Sequence, residues 1–78
     1  FLGAIVSQSL KYRRILGEAI RTYRKKAELN QEKLAEKAEL HPVYISAVER
    51  GKKNISMDAL MRITKTMGIR LRDLFEDI

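Results

Sequence analysis

Helix starts are the feature of this sequence that most constrains its fold. Asn30 and Ser56 are favoured N-cap residues, and His41 is interpreted as a third cap because Pro42 follows it at the first helical position. Each cap is preceded by an apolar residue that is matched by another five positions later, the spacing of a hydrophobic staple. These pairs are Leu29 and Leu34, Leu40 and Ile45, and Ile55 and Leu60. The sequence therefore predicts three short helices that begin at these caps.

Apolar spacing completes the prediction of an all-α fold. A longer helix is predicted from about Arg14 to Ala27, on which one apolar stripe comprises Leu16, Ile20, Tyr23 and Ala27. The third helix is expected to close at Gly51 and the fourth at Gly68, and a short fifth helix covers about Leu71 to Phe75. No segment alternates with period two, so we predict a compact bundle of five helices without strands.

Domain organisation follows from the length of 78 residues, which suits one small domain. We assign that domain to residues 14–78 and treat residues 1–13 as an N-terminal extension or a remnant of cloning. The run Phe1 to Val6 is apolar but too short to span a bilayer, and the basic residues follow it, whereas in a signal peptide they precede it. A fragment start, a cloning remnant and an additional packed segment all remain open.

Positive charge is concentrated in two clusters that flank a more acidic segment. The net charge is +6, and between Lys11 and Lys26 seven basic residues face the single acid Glu18. The second cluster comprises Arg50, Lys52 and Lys53. The clusters are compatible with two arms of one phosphate-binding face and also with ordinary solvated helix surface. The absence of cysteine excludes disulfides and suits a cytoplasmic protein.

The short connection between the second and third helices predicts a helix-turn-helix. Only about three residues, Ala38–Leu40, separate them, so the helices must cross steeply. Ala35 is small enough for this close crossing and is expected to face Ile45 and Val48. The opposite face of the third helix then presents Pro42, Val43 and Ala47, with Tyr44 and Arg50 at its flanks. A helix that projects in this way can enter the major groove of DNA.

Three blocks of residues carry a family resemblance. They are Asn-Gln-Glu-Lys-Leu-Ala at 30–35, Tyr-Ile-Ser-Ala-Val-Glu-Arg-Gly at 44–51 and Leu-Met-Arg-Ile-Thr-Lys-Thr-Met-Gly-Ile at 60–69. In this order they resemble the lambda-repressor-like, or xenobiotic-response-element type, helix-turn-helix regulators, which include phage repressors, Cro proteins and restriction-modification controller proteins. The resemblance covers roughly Leu16 to Ile78.

The resemblance implies a DNA-binding role for nine residues, and Tyr44 at the flank of the third helix is added to them. Gln31 would lie against a phosphate, and the base-reading positions would be His41, Pro42, Val43 and Ala47. The stretch that contacts the phosphate backbone of DNA would be Arg50, Lys52, Lys53 and Asn54. Basic side chains and backbone N–H groups commonly bind phosphates in this way. For Tyr44, packing and a phosphate contact both stay open. Arg24 and Glu49 match a pair that bridges the first and third helices, so we assign them to structure.

Two departures from the family pattern affect these expectations. Glu39 stands where the turn usually has glycine, and a residue other than glycine is strained at a positive φ. In addition, Pro42, Val43 and Ala47 have no side-chain hydrogen-bond donors for reading guanine or adenine. Specificity would then come from thymine methyl groups, from His41 or Tyr44, or from DNA shape.

The apolar end of the chain suggests a homodimer. Leu71, Leu74, Phe75 and Ile78 are more apolar residues than a terminus needs, so we predict that they pair two subunits on a near-palindromic double-stranded DNA operator. The alternative is that they close the core of the monomer. Met61 shares helical spacing with the core residues Leu60 and Ile63, and we expect it to fill the core.

The leading functional hypothesis is therefore a transcriptional regulator that binds specific double-stranded DNA. A protein-interaction module with the same fold is the alternative, because the recognition positions are apolar, and a basic binder of membrane surfaces is a third. With one His and no Cys, no metal site or cofactor is predicted, and no small-molecule substrate is evident. An enzyme is disfavoured because no nucleophile–base pair or glycine-rich phosphate loop is present.

Overall fold

The computed structural model describes residues 2–76, and its regular elements are five α-helices. They are α1 (Leu2–Lys26), α2 (Gln31–Ala38), α3 (Pro42–Glu49), α4 (Met57–Met67) and α5 (Leu71–Leu74). The prediction of an all-α bundle of five helices is confirmed, and residues 2–76 contain no strand. None of these helices is long and apolar enough to cross a membrane.

All three predicted N-caps are present as side-chain hydrogen bonds. Each cap side chain accepts from a backbone N–H of the first helical turn, which would otherwise lack a partner. The bonds run from Lys33 N to Asn30 Oδ1 at 2.7 Å, from Val43 N to His41 Nδ1 at 3.1 Å and from Ala59 N to Ser56 Oγ at 3.1 Å. Since a cap of this kind contributes about 1 kcal/mol, local chemistry fixes where α2, α3 and α4 begin.

The core lies where all five helices meet. Its largest fully buried side chains are Ile20, Leu34, Ile45, Ile63 and Leu74, one from each helix in chain order. All six residues of the predicted staples lie in this core or pack against it. Burying one such aliphatic side chain contributes about 1.5–3 kcal/mol, so each helix is held by its contact with the others.

The start of α1 differs from the prediction. The helix begins at Leu2, about three turns before the expected start near Arg14. The predicted start was wrong because it was set by the buried stripe, and residues 2–12 continue the helix while staying exposed. Leu2, Ile5 and Val6 are 76%, 52% and 56% exposed. The separate extension at residues 1–13 stays a prediction, and Phe1 lies outside the described residues.

Two expectations about apolar residues need correction. Met61 is 52% exposed, so the expectation that it fills the core was wrong; Met67 of the same helix lies at the core instead. Leu74, predicted at a dimer interface, is fully buried within the chain because α5 needs it to close the core. Leu71 packs half-buried against the core and Phe75 is 39% exposed, whereas Ile78 lies outside the described residues.

Candidate nucleic-acid interface

The turn between α2 and α3 sets the direction of α3. Glu39 has φ 56° and ψ 46°, the left-handed conformation that the resemblance to a glycine position implied. Its N–H donates to Glu36 O at 3.2 Å and the N–H of Leu40 donates to Ala35 O at 2.8 Å, which closes the end of α2. This conformation costs about 1–2 kcal/mol for a residue with a Cβ, and the two hydrogen bonds maintain it.

The contact between α1 and α3 depends on Gly17, which sequence analysis did not single out. A Cβ at Gly17 would lie 2.4 Å from Val48 O and 2.7 Å from Glu49 O, so only glycine allows α1 to touch the backbone of α3 this closely. An isolated glycine inside a helical pattern was the available signal, since it usually has a packing reason. This contact fixes the last turn of α3 against α1.

A buried ion pair ties the same two helices together. The Nε of Arg24 donates to Glu49 Oε2 at 2.7 Å and its Nη2 donates to Glu49 Oε1 at 3.1 Å. The Nη1 of Arg24 also donates to Leu29 O at 2.8 Å. Arg24 and Glu49 are only 8% and 6% exposed, so the pair is bidentate and largely withdrawn from solvent. The guanidinium of Arg24 is therefore bound by Glu49 and Leu29 within the protein.

Gln31 joins this network from the first turn of α2. Its Nε2 donates to Glu49 Oε1 at 3.0 Å, so one carboxylate connects α1, α2 and α3. The resemblance implied a phosphate contact for Gln31, and the side chain is half-buried at the margin of the network. It does not line the surface hollow that gathers several other predicted DNA contacts.

Five of the predicted contact residues surround one open hollow on the outer face of α3. They are His41, Val43, Tyr44, Ala47 and Lys53. Val43 is 66% exposed on this face. The hollow is mainly apolar with one cation at its side, so it suits methyl groups beside an anionic backbone.

Tyr44 holds the segment after α3 against this hollow. Its hydroxyl accepts a hydrogen bond from Ser56 N at 3.3 Å, and Lys53 Nζ lies 5.9 Å from the centre of its ring. A cation over the ring of a tyrosine is attracted to it. Tyr44 thus packs between α3 and the following loop and positions Lys53 beside the hollow.

The other predicted contacts follow α3 in a basic loop. Arg50, Lys52 and Asn54 are exposed, and Pro42 is half-buried at the start of the helix. Arg50 Nε donates to Ser46 O at 3.3 Å, and Gly51 with φ 70° turns the chain. None of the ten predicted DNA-contact residues is acidic, so the hollow and the loop together form a positive surface.

Metal-ligating groups do not cluster at this surface. Within residues 2–76, no group of three or more His, Cys, Asp or Glu side chains could hold a metal ion. The chemistry available at the surface is therefore that of cations, backbone N–H groups and apolar side chains.

Comparisons with known proteins agree with this geometry. A family model described as helix-turn-helix, HTH_3, matches residues 20–74. Control protein C.BamHI of Bacillus amyloliquefaciens is 40% identical over 65 residues, which cover 82% of this chain and 80% of that protein. Control protein C.MunI of a Mycoplasma species is 40% identical over 63 residues, with 80% and 85% covered.

A solved structure has a similar fold. The crystal structure of the restriction-modification controller protein C.AhdI from Aeromonas hydrophila superposes with a TM-score of 0.79 and 32% identity. The alignment covers 81% of this chain and 96% of the C.AhdI chain. The similarity thus extends over nearly the whole of that controller protein.

Proposed function

The chain belongs to the helix-turn-helix family HTH_3, whose members regulate transcription by binding DNA, and we propose that it is a controller-type regulator that inserts α3 into the major groove of its operator. The outer face of α3 supports this proposal most strongly. An apolar hollow lined by Val43 and Ala47 lies directly beside Lys53 and the exposed basic loop. A groove floor with thymine methyl groups, bordered by phosphates, is complementary to that arrangement.

The proposed roles divide the surface in two. His41, Pro42, Val43 and Ala47 face base edges, while Arg50, Lys52, Lys53 and Asn54 hold the phosphate backbone. Tyr44 supports the loop, and Gln31 adds a phosphate contact at the start of α2. Arg24 and Glu49 hold the helices in place.

We also propose a homodimer on a near-palindromic operator. Phe75 is exposed and Leu71 half-buried, so a surface at α5 remains available although Leu74 belongs to the core. Two subunits paired by α5 would place their α3 helices about one DNA turn apart, roughly 34–36 Å. Sedimentation at tens of micromolar is the direct measurement, and a monomer that binds DNA one subunit per site would contradict the dimer.

Selection from a pool of random duplexes at two salt concentrations tests the proposed function. We expect enrichment of a near-palindromic motif whose affinity falls with salt as counterions are released. Weak, salt-sensitive binding without an enriched motif would contradict sequence-specific regulation. The protein-interaction alternative would then be favoured.

Matched variants test the division of labour. Lys52→Ala should weaken binding to every duplex alike and lower the salt slope by about one unit. Val43→Ala should change which sequence is enriched and leave the salt slope unchanged. Lys65→Ala serves as the control, because Lys65 is an exposed cation on α4 outside the proposed surface. Equal effects of the Lys52 and Val43 variants on all sequences would contradict the assigned roles.

A further inference from the structure

Two adjacent arginines of α1 lie beside the basic loop that follows α3, and neither belongs to the segment that matches the family. A Cβ placed on Gly51 would be 2.9 Å from Arg14 Cα and 3.1 Å from Arg14 N. The loop therefore rests on the backbone of α1 at Arg14. Arg13 lines a groove together with Lys53 and Asn54 of the same loop.

Neither arginine is neutralised by an acidic side chain among the residues that the structure describes. Arg14 is exposed, and neither residue forms an ion pair with any group in residues 2–76. The Nε of Arg13 is enclosed and has no hydrogen-bond acceptor in that same part of the chain. Arg24 on the same helix is different, because its guanidinium is fully engaged by Glu49 and Leu29.

Acidic groups near α1 lie in a different place. Glu18 lines a hollow between α1 and α5 together with Asp73 and Glu76. The two hollows share no lining residue, and no carboxylate lines the groove that contains Arg13 and Lys53. The groove therefore carries positive charge from Arg13 and Lys53, and Arg14 is exposed where the loop meets α1.

We infer that Arg13 and Arg14 extend the phosphate-binding surface beyond the loop, so that α1 holds backbone phosphates that flank the bases facing α3. The inference rests on the proposed DNA-binding function and adds a second binding element to it. It also relates the two basic clusters of the sequence, because Gly51 in the second lies against Arg14 in the first. Arginine suits this role because its planar guanidinium binds phosphate oxygens in pairs.

Duplex length and salt together provide the test. The duplexes carry the motif enriched by selection, either alone or with about one helical turn (~10 base pairs) added on each side. We expect the unaltered chain to bind the longer duplex more tightly, and Arg14→Gln to remove most of that advantage. The same variant should lower the salt slope by about one unit per subunit. Arg14→Lys retains the charge and should restore the slope.

Two controls separate this inference from other causes. Lys65→Gln removes the same charge from an exposed site on α4 and should leave the length advantage unchanged. Arg13→Gln should also reduce the length advantage and the salt slope. Its unfolding curve is measured as well, to show that the variant is folded. If the unaltered chain enriches a motif but Arg14→Gln behaves as Lys65→Gln does, the inference fails and the proposed function stands. If the unaltered chain enriches no motif, the proposed function fails and the inference fails with it.

Discussion

Arg24 and Arg14 lie about three turns apart on one helix, and the structure uses them in opposite ways. Both approach the C-terminal end of α3 or the loop that follows it. Arg24 is 8% exposed and holds Glu49 with two hydrogen bonds, whereas Arg14 is exposed and has no ion-pair partner within residues 2–76. The two arginines therefore differ in whether a buried carboxylate binds the guanidinium: Glu49 binds Arg24, and Arg14 stays exposed.

The number of basic residues in a cluster therefore says little about which of them are exposed to a partner. Both arginines belong to the same basic cluster of the sequence. Breaking the buried pair should damage the fold, while altering the exposed arginine should damage only binding.

Glu49→Ala should produce the largest loss of stability. It leaves the guanidinium of Arg24 buried without its carboxylate and removes the acceptor of Gln31, so we expect a loss of about 3–5 kcal/mol in the free energy of unfolding. Denaturant unfolding followed by circular dichroism measures it. Glu36→Ala is the control, because its exposed pair with Lys33 at 3.7 Å should contribute under about 0.5 kcal/mol. Equal losses of unfolding free energy for the two variants would contradict a special structural role for the buried pair.

Gly17→Ala should destabilise through the contact that positions both regions. The added Cβ would lie 2.4 Å from Val48 O, and since backbone must move we expect a loss of about 1–3 kcal/mol. Thermal unfolding checks this loss. Gly3→Ala on the same helix meets nothing within 4 Å and should not destabilise. A Gly17 variant as stable as the Gly3 variant would mean that α1 and α3 need no such close approach.

The helix starts of the bundle were predictable because they are local. Asn30, His41 and Ser56 each bond an N–H two or three residues away, so the sequence alone contains both partners. The start of α1 was not predictable, because its first turns carry no buried apolar stripe that would show the helical period. The position of Met61 was also not predictable, since spacing alone did not indicate which side of α4 faces the core.

The site was predictable where it resembles a family and less so where it depends on tertiary contact. The outer face of α3 was predicted from the short connection and its base-reading role from the resemblance. The hollow contains Val43, Tyr44 and Ala47 of this face, with His41 and Lys53 beside them. The hydrogen bond from Gln31 to Glu49 and the contact of Gly51 with Arg14 connect residues far apart in sequence. No local pattern indicates such pairs, because they exist only once α1 has packed on α3.

Gln31→Ala should have an intermediate effect, since Gln31 belongs to the buried network and lies beside the proposed DNA surface. The loss of its hydrogen bond to Glu49 at 3.0 Å should cost about 1 kcal/mol in unfolding free energy. Denaturant titration measures the cost, with Gln8→Ala as the control because Gln8 is exposed on α1. No loss relative to the control would show that Arg24 alone satisfies Glu49.

Arg14→Gln should have the smallest effect on stability. The side chain is exposed and unpaired among the described residues, and Gln keeps a good helix former in place, so the free energy of unfolding should change by less than about 0.5 kcal/mol. The matched variant Arg24→Gln, measured in the same denaturant series, should lose several times more because it leaves Glu49 buried without its cation. Equal losses for the two variants would mean that Arg14 is also structural, and weaker DNA binding by Arg14→Gln would then reflect a shifted loop. Unequal losses would allow a change in salt slope to be assigned to a lost phosphate contact.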